Sequence, residues 1–283
     1  ACIGLPLVEH RENPEVTTTY GLGEMILDAI REGVKHIIVG LGGSATNDAG
    51  FGMLCALGVT CYNQQHQSFI PTGSTLIDID HFDAHRLKET CKDVQFTVLT
   101  DVDAILCGPK GAAYRFARQK GADEDMVKRL DEGLKHVAKL VQSNDEKNYE
   151  LYQGSGAAGG LGFAFKAFLN AKMVMGMDYI LHQLKTSIDI TTYDLILTGE
   201  GCFDQESLQG KVVSGILNLT HEKGIPLIVF CGMNHVTEQT WRALGILDIV
   251  SVYDHIKPLN DIKKTAAYDL ETAVYTHFKN IST

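Results

Sequence analysis

His36-Ile-Ile-Val-Gly-Leu-Gly-Gly-Ser-Ala-Thr-Asn-Asp48 decides the fold. Its first part, His36–Leu41, is a short β-branched run of the kind that fills a parallel sheet covered on both faces. Gly42-Gly43-Ser44 then turns the chain, and a helix is expected from Thr46 to about Leu57, stopped at Gly58. Strand, glycine turn and helix in that order form the repeating unit of a parallel α/β sheet.

The same pattern extends outward. Residues 24–33 read as an amphipathic helix with Met25, Ile26, Ala29 and Ile30 on one face. Val94–Leu99 is a second buried strand. Asp123 is placed as a helix N-cap, with Met126, Leu130, Leu134, Val137 and Leu140 following at helical spacing. Residues 59–92 are less regular. From Asp194 the alternation tightens: strands at Leu195–Leu197, Pro226–Val229 and Ile246–Val252, helices at 211–222, 238–244 and 261–279. The fold class is α/β, with two different α/β domains, one of them doubly wound on a parallel sheet. The boundary falls near residue 188. Residues 1–187 form the α/β domain with Gly-rich loops, and 188–283 the C-terminal part of a doubly wound, Rossmann-like domain. In such sheets ligands bind at the carboxyl ends of the strands, where the glycine-rich segments after Leu41 and Leu197 fall.

Composition narrows the function. The chain of 283 residues is 45% hydrophobic and 21% charged, close to the soluble globular average, so it can bury a real core. No long uncharged apolar run points to a membrane span. A net charge of −10 argues against an extended nucleic-acid surface. The seven cysteines contain no Cys-x-x-Cys pair and are odd in number, which favours free thiols in a reducing cytoplasm. The sequence opens on Ala1 within an apolar stretch and reads as a fragment of a longer chain.

Four segments carry candidate chemistry. In Gly40–Asp48, glycines allow a close approach to an anion, Ser44 and Thr46 add hydroxyl donors, and Asn47 and Asp48 can hold a hydroxyl or a magnesium ion. An ordinary tight turn is the plainer reading. No Gly-Lys-[Ser/Thr] follows, so this is not a Walker A loop. Asp101 and Asp103, at i and i+2 after a strand, suit a magnesium ion carried by nucleotide phosphates or a base that takes a hydroxyl proton; a solvated turn is the alternative. Gly154-Ser-Gly156-Ala-Ala-Gly159-Gly160 is a literal G-x-G-x-x-G with Asp178 at a ribose-binding distance. However, Asn148–Gln153 does not read as the strand such a site needs. Phosphate binding and bare helix packing both remain for these glycines. Finally, Glu200 and Asp204 in Thr198–Ser207, with Lys211, suit a nucleotide and its metal, Lys211 acting as a point charge.

Arg118–Lys120 is weighed as a phosphate contact and set below solvated surface. His81 and His85 with Asp80 and Asp83 have metal-compatible spacing but read better as polar surface.

Six segments then stand in one order: Gly40–Asp48, Asp101–Asp103, Cys107–Ala113, Gln119–Ala122, Gly156–Gly162 and Leu197–Gly201. Together with Glu12–Pro14 and Thr18–Glu24 they resemble the bacterial-type glycerate kinase family, over the chain from Leu5 to its last helix. The resemblance implies two α/β domains with the active site in the cleft between them. It implies ATP and magnesium as cofactors and phosphoryl transfer to a hydroxyl of glycerate, commonly giving 2-phosphoglycerate. Asp101, Asp103 and Asp48 are then the catalytic candidates, with Asp101 and Asp103 at the metal. Gly42, Gly43, Ser44, Thr46, Asn47, Gly156, Gly159, Gly160, Glu200, Asp204 and Lys211 are the binding candidates. The family's opening segment, with its Asp-Ser-Phe-Lys-Gly and Ala-Asp-Gly-Gly-Glu-Gly stretches, has no counterpart here, and Cys202 stands where the family usually has arginine. The expected partner is a small molecule, with neither nucleic acid nor membrane, and a homo-oligomer is left open. The rival readings are a nicotinamide-dependent oxidoreductase using Gly154–Gly159 and a non-catalytic, truncated kinase that only binds ligand.

Overall fold

The computed structural model describes residues 3–145, 147–205, 207–208 and 212–281. The chain divides into two compact units, 1–176 and 177–283.

The first unit is built on a parallel three-stranded sheet. Its strands are β1 (His36–Gly40), β5 (Gln95–Leu99) and β6 (Lys172–Val174), in the order β1-β5-β6. Gly40 pairs with Leu99, and Leu99 with Val174, so all three strands end at the same level. A small antiparallel sheet, β2 (Thr60–Tyr62), β3 (Ser68–Phe69) and β4 (His81–Asp83), fills part of the region the sequence left irregular.

Helices α1 (Tyr20–Arg31), α2 (Phe51–Ala56), α3 (His85–Cys91), α4 (Ala112–Phe116), α5 (Glu124–Asp145) and α6 (Ala157–Leu169) complete this unit. α1 starts at Tyr20, ahead of the expected 24–33, and turns Leu22 and Ile26 into the core; Ala29 and Ile30 are half-buried, while Met25, expected on the same face, is exposed. Asp123 caps α5 as expected, its Oδ1 accepting from the N–H groups of Asp125 and Met126. Leu130, Leu134 and Val137 of α5 are fully buried. Phe51, Phe82 and Phe168 pack edge-on or tilted, with centroids 5.5–6.0 Å apart. Full burial of a side chain such as Phe51 or Leu130 contributes roughly 1.5–3 kcal/mol.

The expected helix from Thr46 does not form. Ala49 and Gly50 both take positive φ, 51° and 75°, and the helix begins only at Phe51. The cause is the carboxylate of Asp48, which draws the N–H groups of Gly50 and Gly52 to itself and shapes residues 46–50 as a turn.

The second unit carries the parallel sheet β7 (Ile196–Phe203), β8 (Leu227–Asn234) and β9 (Asp248–Ser251), in that order. It also holds α8 (Val212–Lys223), α9 (Glu238–Ala243) and α10 (Leu259–Ile281), and most of α7 (Gly176–Ser187). Phe203, Val213, Leu227, Val229 and Trp241 form its core. Here β7 runs past the expected turn at Thr198. Gly199 and Gly201 lie inside the strand, where Gly199 pairs with Phe230 and Glu200 with Cys231. Two glycines read as punctuation are strand residues, because strand pairing outweighed their weak intrinsic preference. A largely apolar hollow opens between this sheet and α10, lined by Leu197, Phe230, Tyr253, Ile262 and Leu270. No helix among the described residues is long and apolar enough to cross a membrane.

Candidate active site

The common level of β1, β5 and β6 brings three loops to one edge of the first sheet. Leu41 N–H donates to Leu99 O at 2.8 Å, and Thr100 N–H to Val174 O at 3.0 Å. The glycine turn after β1, the Asp101–Asp103 loop after β5 and Gly176 after β6 therefore begin side by side at the carboxyl ends of parallel strands, the usual place for a ligand.

Gly42 and Gly43 are exposed, and a Cβ added to either would meet nothing within 4 Å. Their backbone is open to an incoming group. Behind them Ser44, Thr46, Asn47 and Asp48 are all buried. The chain start braces this turn: Leu5 N–H donates to Gly43 O at 2.8 Å and Ala45 N–H to Ile3 O at 2.9 Å. Thr17 Oγ1 adds a 2.7 Å bond to Ala45 O. The hydroxyl of Thr46 and both amide atoms of Asn47 are buried without a hydrogen-bond partner, an arrangement that costs free energy and is uncommon in native folds.

Asp48 is fully enclosed and faces inward. Its Oδ2 accepts from Thr19 N at 2.7 Å, Thr19 Oγ1 at 2.8 Å and Gly52 N at 3.3 Å, and its Oδ1 accepts from Gly50 N at 3.1 Å. Burial pushes its pKa above the ordinary carboxylate value, and the donors from Thr19, Gly50 and Gly52 pull it back. Among the catalytic candidates Asp48 alone is buried. It ties the turn to α1 and α2, and that internal role explains why its carboxylate is turned away from the open edge.

Asp101 and Asp103 are exposed. Asp101 Oδ1 accepts from Gly176 N at 2.9 Å, which links the ends of β5 and β6. Asp103 accepts from Arg115 Nη1 at 2.6 Å. That hydrogen bond, then the guanidinium charge, holds the Asp103 carboxyl below the usual range, with Lys110 adding a smaller pull. The pair offers hard oxygen ligands at a solvent-accessible edge. Among the described residues no three His, Cys, Asp or Glu side chains gather into a metal cage. A magnesium ion carried by phosphates needs only one or two carboxylates, so the pair fits that ion.

The glycines of 154–162 lie against backbone. A Cβ on Gly159 would come within 2.0 Å of Thr46 O, and one on Gly156 within 2.1 Å of Ile105 O. Gly156 N–H is already bonded to Ala104 O, and Gly159 O accepts from Ala49 N. Gly156, Gly159 and Gly160 thus let this loop press under residues 46–49 and 104–105. Their packing role accounts for the motif, and the segment before it forms only a short 3-10 turn, Tyr149–Leu151, where a dinucleotide site needs a strand.

The remaining candidates lie in the second unit. Glu200 sits within β7, its Oε1 buried without a hydrogen-bond partner. Asp204 Oδ1 accepts from Ser207 N at 3.1 Å and closes the turn after that strand. Lys211 lies outside the described residues. The exposed thiol of Cys202 is 3.8 Å from His235 Nδ1. Arg118 is committed to a two-pronged pair with Glu124 at 2.7 and 2.8 Å, while His81 and His85 each pair with their own aspartate, Asp80 and Asp83. None of the six described cysteines forms a disulfide.

Lys120, set aside in the sequence as surface, is 2% exposed, and its Nζ donates to Ser44 Oγ and Thr46 O. Only its place in the Gln119-Lys-Gly-Ala122 stretch could have signalled this, because the contact spans 74 residues.

An open glycine turn and two exposed carboxylates at the carboxyl edge of a parallel sheet make this edge the candidate ligand site of an α/β protein. The glycerate kinase family model matches residues 1–282, and the chain belongs to that family of kinases. It is 38% identical over 261 residues to a glycerate kinase of Bacillus cereus, covering 92% of this chain and 68% of the relative. It is 36% identical over 270 residues to a glycerate 2-kinase of Escherichia coli, covering 95% and 71%. A crystal structure of a glycerate kinase 2 from Salmonella typhimurium LT2 superposes with a TM-score of 0.75 at 32% identity, covering 98% of this chain and 74% of that one. The chain thus spans about two thirds of these relatives' length.

Proposed function

We propose that this chain carries the glycerate kinase activity of its family, transferring the γ-phosphoryl group of ATP to a hydroxyl of glycerate and yielding 2-phosphoglycerate. The observation that carries the reading is the shared edge of the Gly40–Leu99–Val174 level, from which an open glycine turn and a loop with two exposed carboxylates both start. Phosphoryl transfer asks a protein mainly for positioning and charge neutralisation; the turn supports the first, and a cation held by the carboxylates would supply the second.

Gly42 and Gly43 receive an anionic group on their backbone, with Ser44, Thr46 and Asn47 behind them. Asp103, kept ionised by Arg115, holds magnesium together with Asp101. When bound there, magnesium would neutralise charge on the transferred group. Asp101, oriented by Gly176 N–H, accepts the proton of the glycerate hydroxyl as its oxygen bonds to phosphorus and the bond to the ADP oxygen breaks. Glu200 and Asp204 are assigned to the nucleotide. Gly156, Gly159 and Gly160 support the turn from beneath rather than touching phosphate. The protein is taken to work in the cytoplasm.

Phosphorus NMR of the product tests both substrate and position. A phosphate on the middle carbon couples to one proton and gives a doublet, the predicted result. A triplet would move the reaction to the terminal hydroxyl, and no new phosphoester signal would remove the reading.

A further inference from the structure

Lys120 is a buried cation with an unusual setting. It closes a 3-10 turn, Arg118–Lys120, whose backbone is fixed independently of its side chain: Lys120 N–H donates to Ala117 O and Gly121 N–H to Arg118 O. A methionine or leucine would fill the same interior space without desolvating a charge. What an apolar residue could not do is donate. Lys120 Nζ reaches Ser44 Oγ at 3.1 Å and Thr46 O at 2.7 Å. Both acceptors are neutral, and both belong to the turn whose Gly42 and Gly43 lie open.

The charge acting on Lys120 is Asp48, on the same turn. That carboxylate is already occupied by Thr19, Gly50 and Gly52. The ammonium therefore lies behind an open glycine turn with its charge incompletely answered, which suits an anion arriving at the front.

We propose that Lys120 is the positioning residue of the Gly42–Thr46 turn, holding it through Ser44 and Thr46 in the form that receives the anionic substrate or phosphate. The proposal rests on the kinase reading for the ligand's identity and on geometry alone for the turn. Burial lowers the Lys120 pKa to about 8, against a smaller upward pull from Asp48, so the grip should weaken in mildly alkaline solution.

The test uses the full chain with Lys120→Met and Lys120→Arg. Steady-state kinetics with magnesium-ATP and D-glycerate are measured from pH 6.5 to 9.5, alongside amide hydrogen exchange in residues 42–46. In the unaltered protein KM should rise as pH passes about 8. Lys120→Met should raise KM about tenfold or more at pH 7, with a smaller change in kcat, remove the rise, and speed exchange in 42–46 while α5 stays protected. Lys120→Arg, charged throughout, should restore much of the affinity and abolish the inflection. An unchanged KM and unchanged exchange in Lys120→Met would overturn the proposal. Should that variant fail to fold, a folded Lys120→Arg that keeps the wild-type inflection would overturn it equally. An unaltered protein without turnover would sink the kinase reading but leave the exchange result to judge Lys120.

Discussion

The backbone N–H of Gly176 donates to Oδ1 of Asp101 across 2.9 Å, fastening the loop after β5 to the end of β6. The bond fixes one carboxylate oxygen and so orients the group beside Asp103 and the open glycine turn. Asn at this position keeps the acceptor and loses the charge. Asp101→Asn should therefore retain the unfolding midpoint while kcat falls about 100-fold or more, in the range for removing a general base. Unchanged turnover would take Asp101 out of the mechanism.

Arg115 sets the ionisation of Asp103. Its hydrogen bond and charge hold the carboxyl low, so the group stays ionised well into acid. Arg115→Met should let that pKa rise toward its ordinary value. The acid limb of the pH–rate profile should then move to higher pH, with little change in stability because the pair is exposed. A limb that stays in place would detach Asp103 from catalysis.

Asp48 should matter to folding. Asp48→Ala strips acceptors from buried Thr19 and from the N–H groups of Gly50 and Gly52, a loss of about 3–5 kcal/mol for a broken buried charged network. Urea unfolding would read this directly. Asp48→Asn, which keeps an acceptor, should fall between.

Two glycines separate packing from binding. Gly159 has φ +69° and backbone 2.0 Å from where a Cβ would sit, so Gly159→Ala should lower the unfolding midpoint sharply. Gly42 has open space around it, so Gly42→Ala should fold normally and raise KM. Equal stability of the two variants would contradict the packing described for the 154–162 loop.

Lys120 should leave a mark on stability as well. Its folded pKa of about 8 lies below the 10.5 of an unperturbed lysine, so between these values the unfolded chain binds more protons. The stabilising effect of neutralising it is fully present above pH 10.5 and lost as pH falls through 8, amounting to roughly 3 kcal/mol. The difference in stability between Lys120→Met and the unaltered protein, measured by urea unfolding at pH 7 and pH 10, should change in that direction. A pH-independent difference would contradict the burial of a charged Lys120.

Elements governed by local periodicity were legible in the sequence: β1, β5 and α5 lie where apolar spacing and the Asp123 cap put them, while α1 begins earlier than expected, at Tyr20, and β8 runs on past Val229 to Asn234. Glycine was the residue that misled. At 199 and 201 it reads as a turn, yet both lie within β7, held against β8 by the pairs at Gly199, Glu200 and Cys202. At 156–160 it reads equally as an anion loop or as packing, and distant backbone at Thr46 and Ile105 lies where a Cβ at Gly159 or Gly156 would sit. Asp48 and Lys120 were hidden for a related reason. Asp48 meets Thr19 across 29 residues, and Lys120 meets Thr46 across 74. Such contacts depend on how elements pack, and no window of sequence contains them. Asp101 and Asp103 stand out in the sequence because a carboxylate pair directly after a buried strand is a local pattern.

The central claim is phosphoryl transfer to glycerate at the edge bearing Asp101. Coupled ADP release with ATP, magnesium and D-glycerate, run on this chain and on Asp101→Asn, tests it most directly. The account predicts glycerate-dependent ADP release that the substitution nearly abolishes. Release of ADP that ignores glycerate, or a variant as fast as the unaltered chain, would contradict it.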